Sequence, residues 1–253
     1  MAEIQFHPDL IEELHAAQHV VVLTGAGTSA ESGVPTFREA QTGLWAKYNP
    51  EELATPQAFR RNPKLVWDWY TWRRELVAQA QPNPGHYALA ELETLVPNLT
   101  LITQNVDSLH QRAGSHNVIE LHGNISRIVC SKERRVVDTW PDTGDVPRCP
   151  HCNAPLRPDV VWFGENLPQE AIYLAYKVSG DCDLFLCVGT SALVHPAASL
   201  PVAAIQNDIM TVEVNPNTTP LTPHADFHLQ GPSGQVLPAL VEALKQFRNR
   251  HSG

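Results

Sequence analysis

A chain of 253 residues, 43% hydrophobic and 18% charged, can bury a full core, as one large domain or as one domain carrying an inserted smaller one. Its formal charge of -9 argues against a broad phosphate-binding face, so nucleic acid is not an expected partner, although an acidic surface still attracts lysine-rich proteins. No apolar run approaches the roughly 20 residues of a membrane span, and no basic segment followed by an apolar core opens the chain; a cytoplasmic protein off the membrane is expected.

In chain order, "PDLIEELHAAQ" reads as a helix started by Pro8 and Asp9. The apolar runs "HVVVLT", "LTLITQ", "DLFLCVGT" and "IMTVEVN", with helical patterns between several of them, read as buried parallel strands of an α/β sheet. The first runs into Gly25, Gly27 and Ala30, which fit G-x-G-x-x-G/A, a turn that lets backbone amides approach a pyrophosphate. A hydride-transferring enzyme would also need an acidic residue ending a second strand about 20 positions on. Glu51 and Glu52 lie near that distance, but in the proline-bounded "YNPEELATP", which has no strand character, so that reading fails.

Two regions break the alternation: residues about 35–81, helix-rich and aromatic, and about 123–165, rich in turn formers. Together they suggest a smaller domain inserted twice, leaving about 1–34, 82–122 and 166–253 to the larger one. In "PKLVWDWYTWRRELVAQA", Trp67, Trp69 and Trp72 read as core, while Tyr70 and Arg73 share a helix face at a spacing common in surface stacking pairs. Gln104, Asn105 and Asp107 follow a strand, and His122 lies in "IELHG". Singly these are an Asx turn and a core histidine; together they offer an amide-recognising pair and a base of near-neutral pKa.

The five cysteines, an odd count, are not expected to form disulfides. Cys182 and Cys187 flank "DLFL" and read as buried strand residues. Cys130, Cys149 and Cys152 fit a C-x2-C, gap, C-x2-C ribbon in which Glu133 stands where the second thiolate belongs. Glutamate, His151 or a nearby aspartate could supply the fourth ligand of a structural zinc; otherwise packing alone holds the ribbon. The final "SGQVLPALVEALKQFRNR" predicts a helix packed on the sheet, with a basic C-terminal turn.

"GAGTSAESGVPTFR", "TQNVDSLHQRAG", "ELHG", "LRPDVVWFGE", "GTSALVHPA" and "EVN" stand in the order and approximate spacing of the sirtuin family, the NAD-dependent protein-lysine deacylases, which the chain resembles from about Val20 to Pro238. The resemblance implies a Rossmann-like parallel sheet with a smaller inserted zinc-ribbon and helical domain, and NAD in the cleft between. Asn105 and Asp107 would hold the nicotinamide carboxamide while an acyl-lysine oxygen displaces nicotinamide. His122 would take a proton from a ribose hydroxyl, and 2'-O-acyl-ADP-ribose would leave. Gly25, Ala26, Gly27, Glu31, Thr36, Phe37, Arg38 and Gln104 match positions around the nucleotide, with Phe37 shielding the sugar from water. Gly189, Thr190 and Ser191 would bind phosphate or adenosine, Asn215 the adenine ribose, and Ser233 would lie near adenine.

The strand "VVWFGE", through Val161, Phe163, Gly164 and Glu165, with Leu193 and Val194 opposite, would take up an extended acyl-lysine peptide by backbone pairing. "ATP" followed by Y-x-x-R is similar to the class III members, which remove succinyl and malonyl groups. Ala54 would then leave room for the acyl chain, and Arg73 with Tyr70 would bind its carboxylate. A mono-ADP-ribosyltransferase and a non-catalytic NAD-sensing module are the alternatives.

Overall fold

The computed structural model describes residues 4–34, 48–141 and 144–251. The described strands are β1 (His19–Thr24), β2 (Asn98–Thr103), β3 (Val118–Glu120), β4 (Gly123–Cys130), β5 (Leu156–Val160), β6 (Leu184–Val188), β7 (Met210–Asn215) and β8 (Phe227–Gln230). The described helices are α1 (Pro8–Ala16), α2 (Ala26–Ala30), α3 (Pro50–Leu53), α4 (Pro56–Arg61), α5 (Pro63–Gln79), α6 (Pro84–Leu95), α7 (Leu109–Ala113), α8 (Gln169–Asp181), α9 (Leu200–Ile205) and α10 (Ser233–His251). No described helix is long and apolar enough to cross a membrane.

Six strands form one parallel sheet in the order β3-β2-β1-β6-β7-β8. All four strands expected from the apolar runs are present. β3 and β8 were not anticipated: one is three residues long and the other is only partly buried, so neither has an apolar run. Alternation decides the layering. Val20 and Val22 of β1 pack with α1, α6 and α10 on one face, while Val21 and Leu23 pack with α8 and α9 on the other. Cys182 and Cys187 lie in this second core, and burial pushes both thiols up; Cys187 is a strand residue as expected, whereas Cys182 caps the C-terminus of α8, just before β6.

The sequence starts its helices with recognisable chemistry. Pro56, Pro63 and Pro84 each open a helix, where a missing amide proton costs nothing, and the side chains of Thr55, Asn62 and Asn83 accept the orphan N–H groups. A separate two-stranded sheet pairs β4 with β5 antiparallel. Its core joins Trp69 and Tyr70 of α5, Phe59 of α4, Ile125 of β4 and Trp162. Trp69 is wholly buried and Trp67 nearly so, in keeping with their reading as core, while Trp72 is partly buried.

The chain runs outward from β1 through β2 to β3, then returns to β6 beside β1 and runs outward the other way. The C-terminal ends of β1 and β6 therefore border a crevice at the point where strand order reverses, the position at which open α/β sheets bind ligands.

Candidate active site

At that crevice two loops interlock. Gly25 donates its amide to Val188 O and Gly27 donates to Gly189 O at 2.8 Å. A Cβ at either glycine would lie 2.8 Å from Gly189 O, and one at Gly189 (φ +60) would lie 2.5 Å from Thr28 N. This corrects the expected reason for the glycines: close packing of loop on loop requires them, and the amide of Gly27 is spent inside the protein.

Two adjoining cavities, of about 530 and 450 Å³, share Gly27, Gly189, Thr190 and Ser191 as walls. The first holds Gly25, Ala26, Gln104, Asn105, Asp107 and His122, together with Ala54, Tyr70, Arg73, Val161, Phe163, Gly164, Glu165 and Val194. The second holds Glu31, Leu193, Asn215 and Ser233. The spacing therefore brought together residues from many elements, although Leu193 borders the second cavity and not the expected peptide side. Thr36, Phe37 and Arg38 lie outside the described residues.

His122 has a defined tautomer. Its Nδ1 lies 2.9 Å from Gln104 O, and a carbonyl only accepts, so Nδ1 carries the proton and Nε2 remains a base. Burial lowers its pKa below the ordinary value, and the bond to Gln104 only partly opposes this, so the ring is neutral at pH 7. Asn105 Nδ2 donates to Gly25 O and Ser29 Oγ, both at 3.0 Å, which fixes its amide with Oδ1 as the acceptor. The Asp107 carboxyl is raised by burial, against hydrogen bonds from Leu109 N and the Ser29 hydroxyl.

Sequence reasoning missed what lies beneath these groups. Ser29 contacts Asn105 and sits 3.5 Å from His86 Nε2; the ring of His86 lies 4.8 Å from that of His110, whose Nε2 is 3.0 Å from Thr24 Oγ1. Both histidines are fully buried, and burial takes their pKa to about 4 and about 3, so both are neutral. A signal for His86 existed: Asn83, Pro84 and His86 form a capping box in which His86 Nδ1 accepts the Asn83 amide.

In the second cavity the side chains are more occupied than expected. Asn215 donates to Thr190 O at 2.8 Å and accepts from Asn217 N, tying two loops together. Glu31 Oε1 accepts from Gly234 N and the Ser233 hydroxyl, and so caps the start of α10.

The expected substrate strand needs correction. β5 stops at Val160, and residues 163–165 turn, with Gly164 at φ +84. The amides of Val161, Trp162, Phe163 and Glu165 bond to His122 O, Glu165 Oε2, Ala54 O and Trp162 O. The physical reason is Glu165, whose carboxylate turns inward onto the buried Arg157 in a bidentate pair of 2.6 and 2.8 Å. Burial works to raise the Glu165 carboxyl and the Arg157 pair overrides it, holding it below the usual range. Arg157 also covers the Trp162 ring, 3.3 Å from its centre.

The wall of the first cavity also includes Ala54, Tyr70, Arg73, Val77 and Val106. The Tyr70 hydroxyl and Trp162 Nε1 are buried near one another, and among the described residues neither finds a well-aligned hydrogen-bond partner. Burial holds the Tyr70 phenol protonated, so it is a donor. The Arg73 guanidinium lies 5.2 Å from the centre of the Trp69 ring. A buried phenol proton in a cavity wall fits a polar ligand group that accepts hydrogen bonds.

Away from this cleft, ligand atoms of Cys130, Glu133, Cys149 and Cys152 all lie within 4.8 Å of one another, and all three thiols are free. Glu133, and not His151, completes the group. Three thiolates and a carboxylate give the four ligands of a structural zinc, with none left open for chemistry. Protein purified without chelator is expected to carry about one zinc per chain by plasma mass spectrometry, and Cys149→Ala much less. A metal-free, folded parent would show that packing alone holds the ribbon.

A profile of the Sir2 family matches residues 25–196. An NAD-dependent protein deacylase of Methylococcus capsulatus is 49% identical over 254 residues, covering 97% of this chain and 100% of its own. A protein of the same name from Aquifex aeolicus is 52% identical over 230 residues, covering 90% and 96%. The solved structure of a Sir2 homologue in complex with NAD matches with a TM-score of 0.90 at 47% identity, covering 96% of this chain and 95% of that one.

Proposed function

The chain belongs to the Sir2 family and is an NAD-dependent protein deacylase, and from that premise we propose that it removes succinyl and malonyl groups from protein lysines while retaining deacetylase activity. When bound, NAD would supply a sugar carbon that accepts the acyl oxygen as nicotinamide leaves; the acyl group then passes to a ribose hydroxyl and water frees the lysine amine, giving nicotinamide, lysine and 2'-O-acyl-ADP-ribose. The two joined cavities fit such a two-part ligand, with the adenosine half beside Asn215 and Ser233 and the nicotinamide half beside Asn105 and Asp107. We read the cleft as lying between a larger part, about 1–34, 82–122 and 166–253, and a smaller one, about 35–81 and 123–165.

In this reading Asn105 Oδ1 and the Asp107 carboxyl orient the carboxamide, each held by Ser29. His122 Nε2 takes the ribose hydroxyl proton, its ring aimed by the Gln104 carbonyl. The acyl-lysine enters past Val161, Phe163 and Val194, which line the first cavity beside the turn at Gly164. Free cysteines throughout fit a reducing compartment, the cytoplasm.

One observation carries the acyl preference: Tyr70 and Arg73 line the same cavity as His122, with no acceptor for the Tyr70 hydroxyl proton among the described residues and the small Ala54 in the same wall. A carboxylate on the acyl chain would satisfy Tyr70 and pair with Arg73. A hydrogen bond to a charged group contributes about 1.5 to 3 kcal/mol, so Arg73→Met is expected to lower kcat/KM for a succinyl peptide about ten- to a hundredfold. The acetyl version of the same peptide should be nearly unaffected. Equal loss on both substrates would make Arg73, stacked as it is on Trp69, a structural residue and overturn the preference. A separate count of labelled ADP-ribose on protein, against released acyl ester, tests the transferase alternative.

A further inference from the structure

We propose that Glu213 positions the loop walling the second cavity and thereby sets affinity for the adenosine end of NAD without touching it; the inference rests on the reading of that cavity as the nucleotide site. Glu213 lies in β7, 1% exposed, and is not among the residues that border the cavity. Among the described residues no ion pair reaches it. Its two oxygens instead accept one hydroxyl each, from Thr219 and Thr222. Each hydroxyl in turn accepts a backbone amide: Leu221 N onto Thr219 at 3.0 Å, and Thr219 N onto Thr222 at 2.8 Å. Direction is therefore fixed along both chains, from amide to hydroxyl to carboxylate.

The segment so held contains Pro216, Asn217, Thr218, Thr219 and Pro220, all of which wall the second cavity. Asn215, two residues along the same strand, fixes the start of this loop through Asn217 N. Glu213 fixes its far end. A buried carboxylate without a cation costs stability that an apolar residue of similar size would not. Loop geometry is the gain that offsets this. Glutamine is not equivalent, because its NH2 would meet a threonine oxygen that already accepts an amide, leaving that hydroxyl proton without its acceptor.

The test compares Glu213→Gln and Thr222→Val with the parent, by steady-state kinetics in NAD and in acyl peptide and by calorimetric binding of ADP-ribose. The expected result is a KM for NAD and a Kd for ADP-ribose both raised about tenfold, with kcat and the peptide KM unchanged. Thr222 does not border the cavity, and Thr222→Val removes a single hydroxyl, so it carries the test if Glu213→Gln does not fold. A folded variant with the parent's KM for NAD, or with kcat and peptide KM moving alongside, overturns the proposal. If the parent itself fails to bind ADP-ribose, the reading of the cavity falls and takes the proposal with it.

Discussion

His122→Ala is expected to yield a folded protein whose deacylation of a lysine peptide drops by about 10² to 10⁴, the usual weight of a general base. Folding should survive, because the structural contact the residue makes beyond its ring is through the backbone, where its carbonyl accepts the Val161 amide. Among the described residues the ring is held by one bond, Nδ1 to Gln104 O, with Nε2 the nitrogen proposed to meet the substrate. In the proposed reaction its proton transfer follows departure of nicotinamide, so exchange of labelled nicotinamide into NAD in the presence of acyl peptide should persist in the variant. The parent's pH profile carries a sign as well. Burial lowers the His122 pKa, and the neutral ring is the active form, so the acid limb of kcat/KM should fall below pH 6.5. Turnover within tenfold of the parent, or an acid limb above pH 7, would remove His122 from that role.

The sheet was legible because β1, β2, β6 and β7 are buried on both faces and so carry continuous apolar runs. The site residues were legible because they follow those strands in sequence: Gly25 after β1, Gln104 and Asn105 after β2, Gly189 after β6. What pattern could not give was the destination of side chains. Glu165 stood in a segment that reads as a strand, yet its carboxylate closes a turn through Arg157, a residue eight positions earlier. Likewise Asn215 and Glu31 stand where nucleotide ligands were expected, and both spend hydrogen bonds on neighbouring loops.

The least legible layer is the buried polar one. Ser29, His86, His110, Thr24 and Thr103 are scattered over 87 positions from Thr24 to His110, and nothing local marks them as partners. In the structure they form a chain of contacts under the cavity: Thr24 with Thr103 and His110, His110 with His86, His86 with Ser29, Ser29 with Asn105. Such groups are fixed by long-range packing, and only the capping box of Asn83 and His86 leaves a trace in the sequence.

That layer makes folding stability depend on pH. His86 and His110 have ordinary pKa values near 6.5 in the unfolded chain and about 4 and about 3 in the folded one, because burial disfavours the cation. Above pH 6.5 both are neutral in both states and their contribution is fully present. Below it the unfolded chain binds two protons that the folded core refuses, so stability falls as pH falls, down to the folded pKa values. At pH 5 each histidine is 1.5 units below its unfolded pKa, which amounts to about 2 kcal/mol apiece and ~4 kcal/mol together, a large share of a domain's usual 5–15. Asp107 has the opposite sign, since burial raises its carboxyl and so favours folding more as pH falls. Urea unfolding of the parent at pH 7.5 and pH 5 should show the midpoint dropping. His110→Gln, which keeps a hydrogen-bonding side chain beside Thr24 but cannot titrate, should lose only about half as much over the same interval. A midpoint independent of pH in the parent, or the same drop in His110→Gln, would mean that water reaches these rings and that the core beneath the catalytic cavity is not closed.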